Sequence, residues 1–396
     1  MEEQGGPIIQ EPVWAEIDCA ALRHNFHLMR VHVGADVKIM AVVKANAYGH
    51  GAVPLARELV RAGAEALAVA RLNEGISLRK AALHVPILLI GWTPPENAAL
   101  LIKYNIMQSV HSIDYAEQLH HFAVKAGGRI PIHVKVDTGM GRLGFLALGK
   151  EECPSLAAIF KSLAACKSLV PEGIYTHFAS SDAPDLHNAQ VQLQYFEAAL
   201  TELAATRPQG LQGLCIHAAN SAAAMVLPAS HFDMVRPGIM LYGLKPSLEM
   251  DSSAFPLRPV MSIKARLAAI KEVDAGFSVS YGHTHITSKK TLIGTVPIGY
   301  ADGYPRQFSS CGSVLVRGMR APVVGRVCMD LLMVDLGHIP GVQAKDEVVL
   351  LGKQGTEEIS ADEHAIQTGT INYEVVSRIL SRVPRVFIND SLGNKM

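Results

Sequence analysis

The sequence is poor in the features that would tie a chain to a membrane, a nucleic acid or an oxidising compartment. No uninterrupted apolar run among its 396 residues approaches the ~18 that a membrane span requires. Met1 to Pro12 is acidic and polar, and is not expected to serve as an export signal. Lys+Arg and Asp+Glu both number 36, so the formal charge is zero. That balance gives no electrostatic reason to bind nucleic acid or an anionic lipid surface. The six cysteines (Cys19, Cys153, Cys166, Cys215, Cys311 and Cys328) form no Cys-x-x-Cys pair and no Cys/His metal spacing. They are expected to be ordinary buried thiols in a reducing, cytoplasmic setting, with no metal. Charged residues are scarce, 18% against 49% hydrophobic, so a large core forms easily and disorder is excluded.

A chain of 396 residues exceeds the size at which one core splits, which predicts two domains. Eight short apolar segments lie in the first ~240 residues: Lys38–Lys44, Ala66–Ala70, Pro86–Ile90, Ile106–Val110, Ile130–Val136, Glu172–His177, Gly213–His217 and Phe232–Arg236. Helix-like stretches separate them, among them Val53–Ala62, Tyr115–Ala126 and Val191–Ala205. Eight βα units predict a (β/α)₈ barrel over residues 18–252. A doubly wound sheet is the competing fold, but no early Gly-x-Gly-x-x-Gly is present. Past Pro246–Pro259 the pattern becomes β-type: Met261–Glu272, Thr291–Gly299, Ser313–Val316, Pro322–Leu336 and Glu347–Gly352. Residues 253–396 are therefore expected to form a mostly-β domain with one helix, Asn372–Arg382, and a last strand near Arg385–Ile388. A strand at 12–17 precedes the barrel and is a candidate to join that domain.

Barrel sites form at the carboxyl ends of the strands. Lys44 stands at such an end, after the buried run Ile39–Val43, and a small-residue turn with Tyr48 follows. A lysine there is costly to bury unless it works: burial lowers an amine's pKa and makes it a nucleophile or base. The chemistry this suits is a Schiff base with a carbonyl substrate or with pyridoxal phosphate (PLP). A strand-end lysine reaching solvent is the plain alternative. Other reactive side chains collect on the same predicted rim. Arg142 lies in the glycine-rich loop Asp137–Gly144, Lys135 alternates inward just before it, and His177 ends the sixth segment. Asn220-Ser221 follows the seventh segment, and Arg236-Pro237-Gly238-Ile239 ends the eighth. Small residues after the last two strands suit a phosphate, with Tyr48 able to add a hydroxyl donor. Alone, Asn-Ser would be a helix N-cap and Arg-Pro-Gly a surface turn. An arginine has only donors to offer, so Arg236 beside a pyridine nitrogen would leave that nitrogen unprotonated.

The runs KANAYGHG, DTGMGRLG, YTHFA, ANSAA, VRPGIMLYGL, VSYG, IGYADG, GRVCMD and TINYEVVSRI, in this order over roughly residues 39 to 382, resemble alanine racemases. The resemblance implies a PLP enzyme that interconverts L- and D-alanine for peptidoglycan, as a cytoplasmic homodimer with composite sites. It implies that Lys44 carries PLP and is one base, and that Tyr281 of the other subunit is the opposite base. His177 would link Tyr281 to Arg236, and Arg236 would meet the pyridine nitrogen. Tyr48, Ser221, Gly238, Ile239 and Tyr373 would hold the phosphate, with Asn220 beside it. Arg142 and the backbone of Met329 would meet the substrate carboxylate, and Tyr300 and Asp330 would line the entrance. Lys135 would be carbamylated (N6-carboxylysine), presenting a negative group to Arg142, with an unmodified Lys135 in an ion pair as the alternative. Other readings are a non-enzymatic PLP-carrier barrel, which lacks a β domain, and a broad-specificity racemase, where Asn replaces Lys135 and an export signal is usual. A PLP decarboxylase for basic amino acids needs an acid where Arg236 stands.

Overall fold

A computed structural model describes residues 11–149, 155–207, 209–250 and 253–390; Cys153, residues 1–10 and Ser252, where one predicted domain ends, lie outside these. The chain divides into two compact units, one of residues 21–258 and one of residues 1–20 with 259–396.

The first strand, β1 (Val13–Asp18), belongs to the second of these units. The barrel strands follow: β2 (Lys38–Val42), β3 (Ala66–Val69), β4 (Ile87–Leu89), β5 (Met107–Val110) and β6 (Ile130–Asp137). After a two-residue strand, β7 (Phe145–Leu146), come β8 (Leu169–Tyr175), β9 (Cys215–His217) and β10 (Met234–Val235). Parallel pairing runs in the order β10-β2-β3-β4-β5-β6-β8-β9, with β7 beside β6. The seam between the last two strands is closed by Asp233 N–H to Ile216 O and Arg236 N–H to Ala219 O, 3.0 and 2.9 Å. The strands read as unbroken apolar runs because both faces are covered. Met40, Val42, Ala66, Ala68, Leu88, Met107 and Met234 alternate inward and fill the interior as one cluster. The intervening helices cover the outside, as expected for a (β/α)₈ barrel.

Some predicted limits shift. His177 lies two residues beyond β8 rather than within it. Gly213 (φ +81°) and Phe232 (φ +45°) are left-handed, so β9 and β10 begin later than the apolar pattern suggests.

The second unit contains β11 (Met261–Arg266), β12 (Ala269–Val273), β13 (Ser278–Val279), β14 (His285–Ile286) and β15 (Thr291–Val296). It continues through β16 (Ser313–Val316), β17 (Met319–Pro322), β18 (Leu332–Asp335), β19 (Glu347–Gln354), β20 (Glu357–Ile359) and β21 (Arg385–Ile388). Its main sheet is ordered β17-β16-β19-β11-β1-β21, and β12-β15-β18 form another. The single predicted segment Met261–Glu272 is thus two strands in different sheets. The chain changes partner at Leu267, whose N–H goes to Asp346 O, while that of Ala268 goes to Thr295 O. The predicted run Pro322–Leu336 breaks likewise, because Gly325 (φ +73°) turns it into a loop before β18. A helix absent from the prediction, Ala361–Thr368, starts at Ser360, whose Oγ accepts from Glu363 N–H at 3.0 Å. The expected helix Asn372–Arg382 stops at Ser377. Cys311 is exposed, not buried, and the described cysteines form no disulfide. No helix among the described residues is long and apolar enough to cross a membrane.

Candidate active site

Lys44 leaves β2 into a rare local structure. Ala45, Asn46, Ala47 and Tyr48 all have φ between +52° and +55°, a turn of left-handed helix without a glycine. Each such residue costs roughly 1–2 kcal/mol, so the turn must be over-determined by its surroundings. Ala47 N–H bonds Val43 O, and Gly49 N–H bonds Ala45 O, both at 2.9 Å. The Asn46 Oδ1 accepts from Ala52 N–H at 2.8 Å, and Glu74 Oε1 accepts from Ala45 N–H at 2.6 Å. The result is a half-buried Lys44 with Nζ 5.9 Å from the centroid of the Tyr48 ring. Burial, reinforced by the charge of Arg142, pulls the Lys44 ammonium below the usual lysine range, while Glu74 pushes the other way.

Tyr48, after β2, reaches the turn that follows the neighbouring strand β10. A Cβ placed on Gly238 would fall 2.5 Å from Tyr48 Oη, so only glycine admits that hydroxyl. Gly238 N–H donates to Ser221 Oγ at 2.8 Å, drawing a second hydroxyl to the same spot. Ile239, the next residue, is buried. Asn220 is the N-cap of the helix Ser221–Val226, its Oδ1 accepting from Ala223 N–H at 3.0 Å and from Ser181 Oγ at 2.9 Å. The cap reading of Asn220 therefore holds, whatever else its amide does. Tyr48 and Ser221 thus bring two hydroxyls to the backbone at Gly238, a donor cradle suited to an anion's oxygens. With a depressed amine on the same loop, it fits an anionic aldehyde such as PLP.

Arg236 is buried and held on several sides. Its Nη2 donates to Thr176 O and Ala218 O, each at 2.8 Å, and its Nη1 to His217 Nδ1 at 2.8 Å. His177 Nδ1 lies 3.4 Å from Nη2. The two Nη2 hydrogens serve those carbonyls, so His177 Nδ1 is a weak third acceptor that shares one of them, an arrangement that puts the ring's own proton on Nε2. Burial, then the charge of Arg236, keeps His177 well below the usual histidine range and so neutral. Burial also lowers Arg236 to about 10, which leaves it fully charged near neutrality.

Lys135 is buried with Nζ 5.7 Å from the centroid of the Tyr175 ring. Burial, then the charges of Arg142 and Arg236, lowers it to about 8, partly opposed by Asp137. Arg142 is exposed on its loop. That loop winds around Asp137, whose carboxylate accepts from the N–H groups of Gly139, Met140, Gly141 and Arg142 at 2.8 to 3.1 Å. Burial would raise this carboxyl, but those four donors hold it below its usual range.

The remaining candidates lie in the second unit. Tyr281 is 73% exposed and follows Ser280, a non-glycine residue at φ +67°. Ser280 Oγ donates to Arg326 O at 2.6 Å and lies 3.5 Å from Cys328 Sγ. Tyr300 N–H bonds Cys328 O, and Ala301 N–H bonds Met329 O, at 3.1 and 3.0 Å. A Cβ on Gly299 would come within 2.3 Å of both those carbonyls, which explains the glycine. Tyr281, Tyr300 and Met329 are thus gathered around one loop. Asp330 pairs with Arg382 at 2.9 Å, and Arg382 also reaches Asp302 at 2.8 Å. Tyr373 lies half-buried on the helix Asn372–Ser377.

Three groups that shape the rim were not singled out from the sequence: Asp137 as the hub of its loop, Glu74 as the anchor of Ala45, and His217 behind Arg236. An aspartate leading into Gly-x-Gly is a signal for a loop wrapped on its own carboxylate. Glu74, three residues after Arg71, marks a helix start, and its other oxygen indeed accepts from Arg71 N–H at 2.9 Å.

A parallel barrel whose mouth joins a depressed lysine, a donor cradle and a donor-only arginine defines a lysine-centred class of barrel protein, suited to an anionic carbonyl compound. The chain belongs to the alanine racemase family. The family's N-terminal domain matches residues 17–246 and its C-terminal domain residues 260–387. It is 48% identical to the alanine racemase of Desulforamulus reducens, over 96% of this chain and 100% of that one. Among solved structures it resembles alanine racemase from Bacillus anthracis with bound L-Ala-P, at 38% identity and TM-score 0.90, covering 97% of each chain. It also resembles the Bartonella henselae alanine racemase with covalently bound pyridoxal phosphate, at 30% identity and TM-score 0.83, covering 96% of this chain and 100% of that one.

Proposed function

We propose that this chain interconverts L- and D-alanine by a PLP-dependent two-base reaction, as a cytoplasmic homodimer supplying D-alanine to peptidoglycan. The division of labour between residues 18–252 and 253–396 is part of the proposal. The observation that carries it is the depressed Lys44 on the same barrel rim as the Tyr48–Ser221–Gly238 cradle and donor-only Arg236. The family match over 260–387 favours an enzyme over a carrier barrel, which has no such domain.

PLP held by Lys44 would withdraw electrons from an amino acid's Cα–H bond and so make that proton acidic. Racemisation then needs a proton removed on one face and returned on the other. Lys44 serves one face and Tyr281 the other, both with reference pKa values of about 10. Burial and the charge of Arg142 move Lys44 toward the free amine that its half of that exchange requires. Tyr48, Ser221, Gly238 and Ile239, with Tyr373 and Asn220, hold the phosphate. Arg236 leaves a facing ring nitrogen unprotonated, which limits electron withdrawal and disfavours transamination. His177, its Nε2–H outward, would orient the Tyr281 hydroxyl. Arg142 and the Met329 backbone receive the carboxylate, and Tyr300 and Asp330 border the entry. The test is to incubate the purified, PLP-loaded protein with each alanine enantiomer in D₂O. Both should gain deuterium at Cα while interconverting; a yellow protein that exchanges neither is a carrier.

Lys135 is proposed to be carbamylated: its neutral amine adds to CO₂, forming an N–C bond and releasing a proton. An ordinary lysine is almost wholly charged at pH 7, whereas one at about 8 is neutral in about a tenth of molecules. Because its pKa is lowered, uptake should rise with pH up to about 8, well before an exposed lysine responds. ¹³CO₂ should give one carbamate carbon resonance that Lys135→Arg abolishes. A resonance surviving that substitution would place the carbamate elsewhere.

A further inference from the structure

Two buried histidines left without a part above stand in a line behind Arg236. Arg236 Nη1 lies 2.8 Å from His217 Nδ1, and His217 Nε2 lies 2.8 Å from His133 Nδ1. Their exposures are 0% for His217 and 3% for His133. The protons in this line can be placed by elimination. A guanidinium only donates, so His217 Nδ1 is bare. A neutral imidazole keeps one N–H, which is therefore on Nε2 and donates to His133. His133 Nδ1 is bare in turn, and its proton sits on Nε2. The bonds thus run one way, from Arg236 at the rim, through His217, to His133. His133 lines a cavity at the opposite end of the barrel, with Lys38, Glu172 and Asp233. A second proton on either ring would aim N–H at N–H or at the guanidinium. Burial and the Arg236 charge oppose it too, lowering His133 to about 3 and His217 well below its usual range.

The strand register shows that this line is built. Across the sheet, His133, Gly173 and Cys215 are in register, as are Lys135, Tyr175 and His217. A Cβ on Gly173 would fall 2.5 Å from the His133 ring, so glycine opens the lane through which His133 reaches past β8. Tyr175 stacks on His217 at 4.8 Å and 5°, and the Arg236 guanidinium lies 5.1 Å from the same ring's centroid.

We propose that His217 and His133 are positioning residues that act through Arg236, a one-way neutral relay fixing the guanidinium's place and donor direction. The proposal rests on the function above only for what Arg236 serves. Neutron diffraction from deuterated crystals of the purified protein should show deuterons on Nε2 of both rings and none on Nδ1. A deuteron on His217 Nδ1, or two on either ring, overturns the relay. In the holoenzyme, His133→Leu leaves the His217 N–H without its acceptor and should lower kcat about tenfold, with KM for alanine changed by less than about twofold. His133→Asn, whose Oδ1 replaces Nδ1, should recover kcat to within about threefold of wild type. Equal losses in the two variants, or a loss confined to KM, overturn the positioning role. A wild type that neither binds PLP nor racemises would sink the proposed function, yet the deuteron positions would still decide the relay.

Discussion

Lys44→Ala should lose the visible absorbance of lysine-held PLP together with all measurable racemase activity, a fall of more than about 10⁴-fold. The expectation follows from position. Lys44 is the one amine on a turn whose winding the surrounding bonds enforce, and burial has already moved it toward the free base. Alanine suits the fold there, because the turn's bonds come from Val43, Ala45, Asn46 and Glu74 rather than from the lysine side chain. Absorbance spectra and initial rates on the purified variant check this directly. A variant that keeps both the colour and the activity would remove Lys44 from the chemistry.

Tyr281→Phe should keep PLP and lower exchange from one enantiomer by about 10²–10⁴-fold, leaving exchange from the other near normal. The tyrosine is largely exposed on a strained turn, as a group destined for another subunit would be. Direction-resolved deuterium uptake tests the role, since equal losses in both directions would make the tyrosine structural. The proposed composite sites give a sharper outcome. When Lys44→Ala and Tyr281→Phe subunits are mixed and allowed to exchange, half of the dimers are mixed, each with one intact site. About a quarter of wild-type activity should therefore return. Exchanged subunits without activity would assign each site to a single chain.

The barrel was legible because its strands are buried on both faces and read as apolar runs, and because barrel chemistry sits at strand ends. Lys44, Arg236 and the Asn220-Ser221 and Gly238-Ile239 pairs could be placed on one rim from that rule alone. The left-handed turn could not, since nothing in Ala-Asn-Ala-Tyr favours positive φ; tertiary bonds such as Glu74 to Ala45 impose it. The His133–His217 contact was equally hidden. It joins strands that are not neighbours, across a gap that exists only because Gly173 lies in register between them. In the second unit, Leu267 and Ala268 show the same limit: residues 261–273 keep a strand-like pattern while changing partners. Tyr281, Tyr300 and Met329 stand in clusters that read alone as turns or core, Tyr373 in one short helix, and only the resemblance gave them roles.

The place of β1 has a consequence for how the chain is made. Its partners in the sheet are β11, antiparallel, and β21, parallel, with Asp18 paired to Ile388. At roughly 5–20 residues per second, the ribosome takes roughly 20 to 75 seconds to travel between those two positions. The first strand to emerge is therefore among the last to find its neighbours. Meanwhile β3 to β9 each meet a partner soon after they emerge and β2 waits for β10, while one edge of β1 stays open until β11 and the other until the end of the chain.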